Sequence, residues 1–132
     1  MAEILVTGGA GFIGSWVVDW YLREGFSVAV VDNLSTGNRK NVNPRASFYE
    51  VDITSGKDLE EVFVRERPRY VNHHAAQINL RYSVENPLFD ASVNILGSLQ
   101  VLEASVRFGV KRVIFASTGG AIYGEVAKLP VG

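Results

Sequence analysis

The sequence predicts a doubly wound α/β domain on a parallel sheet, truncated after about its fifth strand. Five short runs rich in β-branched and aromatic residues recur along the 132 residues, and longer segments with helical spacing separate several of them. The leading runs, Ile4 to Val6 and Val28 to Val31, are apolar without alternation. Strands covered on both faces read this way, and right-handed crossovers through the intervening helices make them parallel.

The first strand is "EILVT" (Glu3 to Thr7). Beyond a glycine cluster, Ile13, Trp16, Val17 and Trp20 recur at i, i+3, i+4 and i+7, which marks a helix, and Glu24 with Gly25 supplies its stop. "SVAVVD" (Ser27 to Asp32) is the second strand, followed by "DNLSTGNRKNVNPRA", whose Asn, Gly and Ser content reads as an extended loop. "SFYEVD" (Ser47 to Asp52) is the third. "GKDLEEVFVRERP" then gives a helix with Leu59, Val62 and Phe63 on one face and Pro68 just beyond its end. "RYVNHH" (Arg69 to His74) is the fourth strand. A long helix is expected from about Leu88 to Phe108, with Val93, Leu96, Leu99, Gln100, Leu102 and Val106 inward and Gly109 as cap. "KRVIFAS" (Lys111 to Ser117) is the fifth strand, and the fifteen residues after it leave nothing to cover it. No repeat, low-complexity tract or linker divides the chain, so residues 1–132 form one incomplete domain.

Thirteen basic and fourteen acidic residues leave a formal charge of −1. No global field draws such a chain to nucleic acid or to an anionic membrane, so partners are recognised locally. The absence of cysteine excludes disulfides and thiolate metal sites and suits a reducing compartment, with the cytoplasm as default. The first apolar run ends at Thr7 and carries Glu3 in place of a basic n-region, so neither a signal peptide nor a membrane span is expected there.

Gly8, Gly11 and Gly14 stand at G-x-x-G-x-x-G spacing between the first strand and the first helix, and Gly9, Gly11 and Gly14 also satisfy G-x-G-x-x-G. There, glycine permits a tight reversal, lets a diphosphate approach the backbone and lets the helix pack on the strand. The unpaired N–H groups and positive end of the helix then face the anion. Alone, the pattern is equally a glycine-rich turn. Asp32 supplies context: it lies eighteen residues after Gly14, at the end of the second strand, where an acid accepts from the adenosine ribose hydroxyls and repels a 2′-phosphate. Taken singly it would be a turn-starting Asp; in register with the glycines it favours NAD over NADP. Arg39 and Lys40 nearby are read as solvated loop charges. His73 and His74 are adjacent on a strand and point to opposite faces, without acidic companions at metal spacing, so no metal site is assigned.

"VTGGAGFIGS", "VDNLSTG", "VDI", "HHAAQ", "NPLFDASVNILGSLQVLEA" and "FASTGGAIYGE" together resemble the extended short-chain dehydrogenase/reductases, and within them the UDP-glucose 4-epimerases. The resemblance runs along all 132 residues but covers less than half of a full-length member. It implies a Rossmann fold with NAD as cofactor. It places the Phe12 and Ile13 N–H groups on the diphosphate and wraps Asp32, Asn33, Leu34, Ser35, Thr36 and Gly37 around the ribose. Asp52 and Ile53 would hold the adenine, the first accepting from its exocyclic amine and the second covering its face; the other reading of Asp52 is the cap region of the following helix. His74, Ala75, Ala76 and Gln77 would line the cofactor cleft, the small alanines letting it pass close. Asn94 would be a polar anchor in the long helix, or simply a satisfied buried Asn.

The resemblance also implies the chemistry: transient hydride transfer at C4 of a nucleotide sugar, helped by a Ser or Thr hydroxyl and by a Tyr and a Lys four residues apart on a helix, the Lys lowering the Tyr pKa. Tyr123 and Lys128 are five apart and flanked by Gly124 and Pro130, so no helix aligns them. The true pair is expected beyond Gly132, and the chain alone is expected to be inactive. The usual hydroxyl position falls on Gly119; Thr118 is the catalytic candidate in its place, with Ser117 as alternative. A nucleotide-sugar 4,6-dehydratase would carry Asp-Glu where Gly120 and Ala121 stand, whereas a sugar reductase is not separated by these residues. Two other classes remain, a non-catalytic dinucleotide-binding module and, less consistent with "HHAAQ", an S-adenosylmethionine methyltransferase. An open edge on the fifth strand would make the chain associate as a homo-oligomer or else leave it weakly stable.

Overall fold

In the computed structural model, which describes residues 1–34, 37–74 and 96–115, the five expected strands form one parallel sheet. They are β1 (Ile4–Thr7), β2 (Val28–Val31), β3 (Ser47–Tyr49), β4 (Tyr70–His73) and β5 (Arg112–Phe115), in spatial order β3-β2-β1-β4-β5. The described helices are α1 (Phe12–Arg23), α2 (Gly56–Glu66) and α3 (Ser98–Arg107).

All residues of β1 and β2 are buried, as their unbroken apolar runs require. Alternation sends them to two cores. Ile4, Val6, Val28 and Val30 pack with Val18 and Leu22 of α1, while Leu5, Ala29, Val31 and Val71 pack with Leu59, Val62 and Phe63 of α2 and with Val101 and Ala104 of α3. Glu66, buried at the end of α2, accepts from the Ala2 N–H at 2.8 Å and from the Tyr49 hydroxyl, which ties the chain just before β1 and the end of β3 to that helix.

The helices lie where expected, but two expose the faces that the apolar spacing points inward. α1 lays Gly14, Ser15, Val18 and Leu22 on the sheet and turns Trp16 and Trp20 outward, 66% and 53% exposed, with Ile13 beside them. Its rotation is fixed by close approach: a Cβ on Gly14 would stand 2.0 Å from the Gly8 carbonyl oxygen, so only the glycine face can meet the strand. α3 likewise buries Val101, Ala104 and Ser105, leaving Leu96, Leu99 and Val106 exposed, the last by 82%. It seats on α2 through Gln100, whose Oε1 would lie 2.7 Å from a Cβ on Gly56, and through the Phe63 and Phe108 rings at 5.9 Å. Val93 and the N-terminal half of the expected long helix fall outside the described residues. Gly25 and Gly109 close α1 and α3 as expected, donating to the Leu22 and Val106 carbonyls.

The loop after β2 is not wholly extended. Arg39–Asn41 form a 3-10 turn because the Asn38 side chain accepts the Lys40 N–H at 2.8 Å. Arg39 is not a freely solvated charge either: its guanidinium stacks on the Phe48 ring at 4.3 Å. Among the described residues, no strand pairs the outer side of β5.

Strand order reverses at β1. β2 and β3 lie to one side and β4 and β5 to the other, so β1 and β4 flank the switch point, with Thr7 in register with His73. In open α/β sheets ligands bind in the crevice beyond the carboxyl ends of such strands.

Candidate functional site

The backbone leaves β1 at Thr7 and must reverse at once to bring α1 across the sheet. Gly8 makes the reversal at φ +74°, a conformation costly for any side chain, and its N–H donates to the Val31 carbonyl at 2.7 Å. The Gly11 N–H closes the turn on the Gly8 carbonyl at 3.1 Å. Gly9 has no room either, since its Cβ would lie 2.6 Å from Val30 Cγ1. Gly11 differs from its neighbours: it is extended (φ −81°, ψ 174°), and among the described residues an added Cβ would meet only the Gly8 oxygen, at 3.4 Å. No close contact with a described residue requires glycine at Gly11, which stands at the open front of α1.

Gly11 caps α1 without a side-chain hydrogen bond, and the first intrahelical bond runs from the Ser15 N–H to the Gly11 carbonyl at 2.9 Å. The N–H groups of Phe12, Ile13 and Gly14 precede that bond and point out of the helix end, where its dipole is positive. No acidic residue occupies the first turn of α1. An end of this kind can receive an anion.

Asp32 stands beside it, buried just past β2. Its Oδ2 accepts the Ala10 N–H at 2.9 Å and its Oδ1 the Leu34 N–H at 2.7 Å, which holds Leu34 at φ +62°. The carboxylate thus links the turn to the loop that follows β2. Each oxygen keeps a lone pair for a further donor, as a ribose hydroxyl would be. Asn33 is exposed, and Gly37 is pressed on the turn, where a Cβ would lie 2.8 Å from the Ala10 carbonyl.

Asp52 Oδ1 accepts from the Thr54 N–H and hydroxyl at 2.9 and 2.7 Å, a turn leading into α2, whose cap is Ser55. These bonds lie on the exposed side of the turn and leave Oδ2 for a further donor. Ile53 is buried in the α2-side core, so its side chain has almost no surface to lay on a nucleobase. Ser35, Thr36, Ala75, Ala76, Gln77, Asn94 and Thr118, together with Ser117, Gly119, Tyr123 and Lys128, lie outside the described residues.

His73 was legible as a strand-end residue, but its network was not. Thr7 Oγ1 takes the His74 N–H at 2.9 Å and lies 2.7 Å from His73 Nδ1; His73 Nε2 lies 3.0 Å from Ser98 Oγ at the start of α3, and Phe115 meets the ring edge-on at 5.3 Å. The imidazole therefore joins β1, β4, β5 and α3 at the switch point. Burial, and secondarily the neighbouring His74, pushes its pKa from 6.5 down to about 4. Burial also lowers that of the half-buried His74. Among the described residues, no group of three or more His, Asp or Glu could hold a metal ion.

A pH dependence follows. Between 6.5 and about 4, the unfolded chain binds a proton that the folded His73 refuses, so stability is complete above this window and falls as pH drops through it. The loss reaches roughly 3 kcal/mol at the acid end. Urea midpoints at pH 7 and pH 4.5 should show it, and His73→Gln should shrink the difference; an undiminished difference would assign it to other groups.

Comparison with known proteins agrees with this geometry. Residues 4–132 match the model of the NAD dependent epimerase/dehydratase family. A UDP-glucose 4-epimerase of Lacticaseibacillus casei is 43% identical over 128 residues, which is 97% of this chain and 38% of that protein. The structure of UDP-glucose 4-epimerase from Thermotoga maritima with UDP-glucose superposes with a TM-score of 0.87 at 56% identity, covering 92% of this chain and 40% of that one. The UDP-glucose 4-epimerase of Thermus thermophilus in complex with NAD gives 0.87 at 51% identity, covering 91% and 39%. The chain thus spans about two-fifths of the length of these relatives. With a family match over nearly its whole length and a glycine turn at the switch point of a parallel sheet, the chain belongs to the NAD dependent epimerase/dehydratase family.

Proposed function

We propose that this chain is the NAD-binding part of an enzyme that epimerises a nucleotide sugar at C4, of the UDP-glucose 4-epimerase type. The observation that carries the reading is Gly11, where an added Cβ meets no described atom closer than 3.4 Å, in front of an uncapped helix end with a buried carboxylate beside it. NAD, when bound, supplies the acceptor and returning donor of a hydride. The chain's own residues bind and orient it: the Phe12, Ile13 and Gly14 N–H groups meet the diphosphate, and Asp32 accepts from the adenosine ribose. A 2′-phosphate would bring negative charge against that carboxylate, which sets the preference for NAD over NADP.

The nucleotide sugar, the epimerase activity and a homo-oligomeric state belong to this reading for the whole protein, with galactose metabolism as its setting. The cytoplasm as compartment accords with a chain that has no cysteine. Among the described residues, no helix is long and apolar enough to cross a membrane.

Calorimetric titration tests it. The chain should bind NAD, bind NADP at least about fivefold more weakly, since one like-charge contact is worth about 1 kcal/mol even at the dielectric constant of bulk water, and ignore S-adenosylmethionine. Binding of S-adenosylmethionine but not of NAD would overturn the reading.

A further inference from the structure

We infer that Asn41 is a positioning residue for the diphosphate turn, acting through its side-chain amide on the Ala10 carbonyl. The inference rests on the NAD reading above and names a residue outside the glycine pattern on which that reading stands.

Ala10 is fully buried, and hydrogen bonds hold both ends of the residue. Its N–H donates to Asp32 Oδ2 at 2.9 Å. Its carbonyl oxygen accepts twice, from the Asn38 N–H at 3.0 Å and from Asn41 Nδ2 at 3.1 Å. That carbonyl shares one rigid peptide plane with the Gly11 N–H, which donates to Gly8. Fixing the plane fixes where Gly11 begins α1 and how the following N–H groups are aimed. The arm that delivers Asn41 is itself braced: the Asn41 N–H donates to the Asn38 carbonyl at 2.8 Å, Asn38 Oδ1 holds the Lys40 N–H, and Arg39 stacks on Phe48 of β3. A path of direct contacts therefore runs from β3 through the 3-10 turn to the peptide at the mouth of the site. Asn41 is otherwise exposed, so its removal leaves both cores intact.

The test uses the full chain, with Asn41→Ala, Asn41→Gln, and Asn43→Ala as a control; Asn43 lies two residues on and its amide donates to Asp19 Oδ1 instead. Amide hydrogen exchange without cofactor should quicken at Gly11 and Asn38 in Asn41→Ala while Val6 and Val30 stay protected. NAD affinity should fall about tenfold, the worth of one hydrogen bond at the upper end of its range, with melting lowered by only the few degrees that one such bond is worth. Asn41→Gln, which keeps a donor, should recover part of the affinity, and Asn43→Ala should match the unaltered chain. Unchanged exchange at Gly11, or unchanged NAD affinity in Asn41→Ala, overturns the inference. Failure of the unaltered chain to bind NAD overturns the reading beneath it, and the exchange data, which need no cofactor, tell the two failures apart.

Discussion

Gly14→Ala should separate α1 from β1 and abolish NAD binding. The added Cβ would stand 2.0 Å from the Gly8 oxygen, 2.9 Å from its carbonyl carbon and 3.1 Å from Gly9 Cα. All three are backbone atoms in a turn already closed by the Gly11 N–H, so no side chain can swing aside. Overpacking costs about 1–3 kcal/mol even where neighbours adjust, and about 3 kcal/mol or more is expected here. Gly11→Ala is the informative partner. Among the described residues its Cβ finds one neighbour, at 3.4 Å, so it should melt within a few degrees of the unaltered chain, yet the methyl group would occupy the approach to α1. Urea unfolding and NAD titration on both variants should thus dissociate folding from binding. Equal stability of Gly14→Ala and the unaltered chain would mean that the helix does not sit on Gly8 as described.

Asp32→Ala should cost both stability and cofactor. It removes the acceptor of two backbone donors, the Ala10 N–H inside the turn and the Leu34 N–H in a left-handed residue. An orphaned buried donor costs about 1–3 kcal/mol, and Ala10 has no exposed surface through which water could replace the lost partner. Loss of the ribose acceptor and loosening of the turn together should weaken NAD by about a hundredfold, two hydrogen-bonded contacts at roughly 1.4 kcal/mol each. The preference over NADP should narrow, because the like charge is gone. Titration of the variant with both cofactors checks this; unchanged affinity for each would remove Asp32 from the site.

These residues show what a sequence carries and what it does not. The glycine turn was legible because its constraint is written in residue type: a missing side chain at Gly8, Gly9 and Gly14 is required by backbone conformation or contact, and the strand before and helix after were plain in the spacing. Asp32 was legible by position. The faces of α1 and α3 were not, since spacing counts apolar residues without saying which stripe is small enough to touch the sheet; Gly14 and Ala104 settle that, and the tryptophans are left outside. Ala10 and Asn41 gave no signal at all, because the bond between them uses a main-chain carbonyl that every residue has, and an asparagine in an Asn-rich loop looks like a turn former. His73 meets Thr7 only through the β1–β4 register and Ser98 only through a crossover of 25 residues, neither of which local pattern can show.

The outward turn of α1 gives the molecule a built-in optical reporter. Both tryptophans of the chain, Trp16 and Trp20, ride on one helix, one and two turns from the amides of Phe12 and Ile13, and Trp16 touches the Phe12 ring edge-on at 6.4 Å. Tryptophan emission therefore comes wholly from the helix proposed to meet the diphosphate, with no background from the opposite core. Arrival of a reduced nicotinamide dinucleotide should quench that light by energy transfer, so occupancy can be followed in the native chain without a dye.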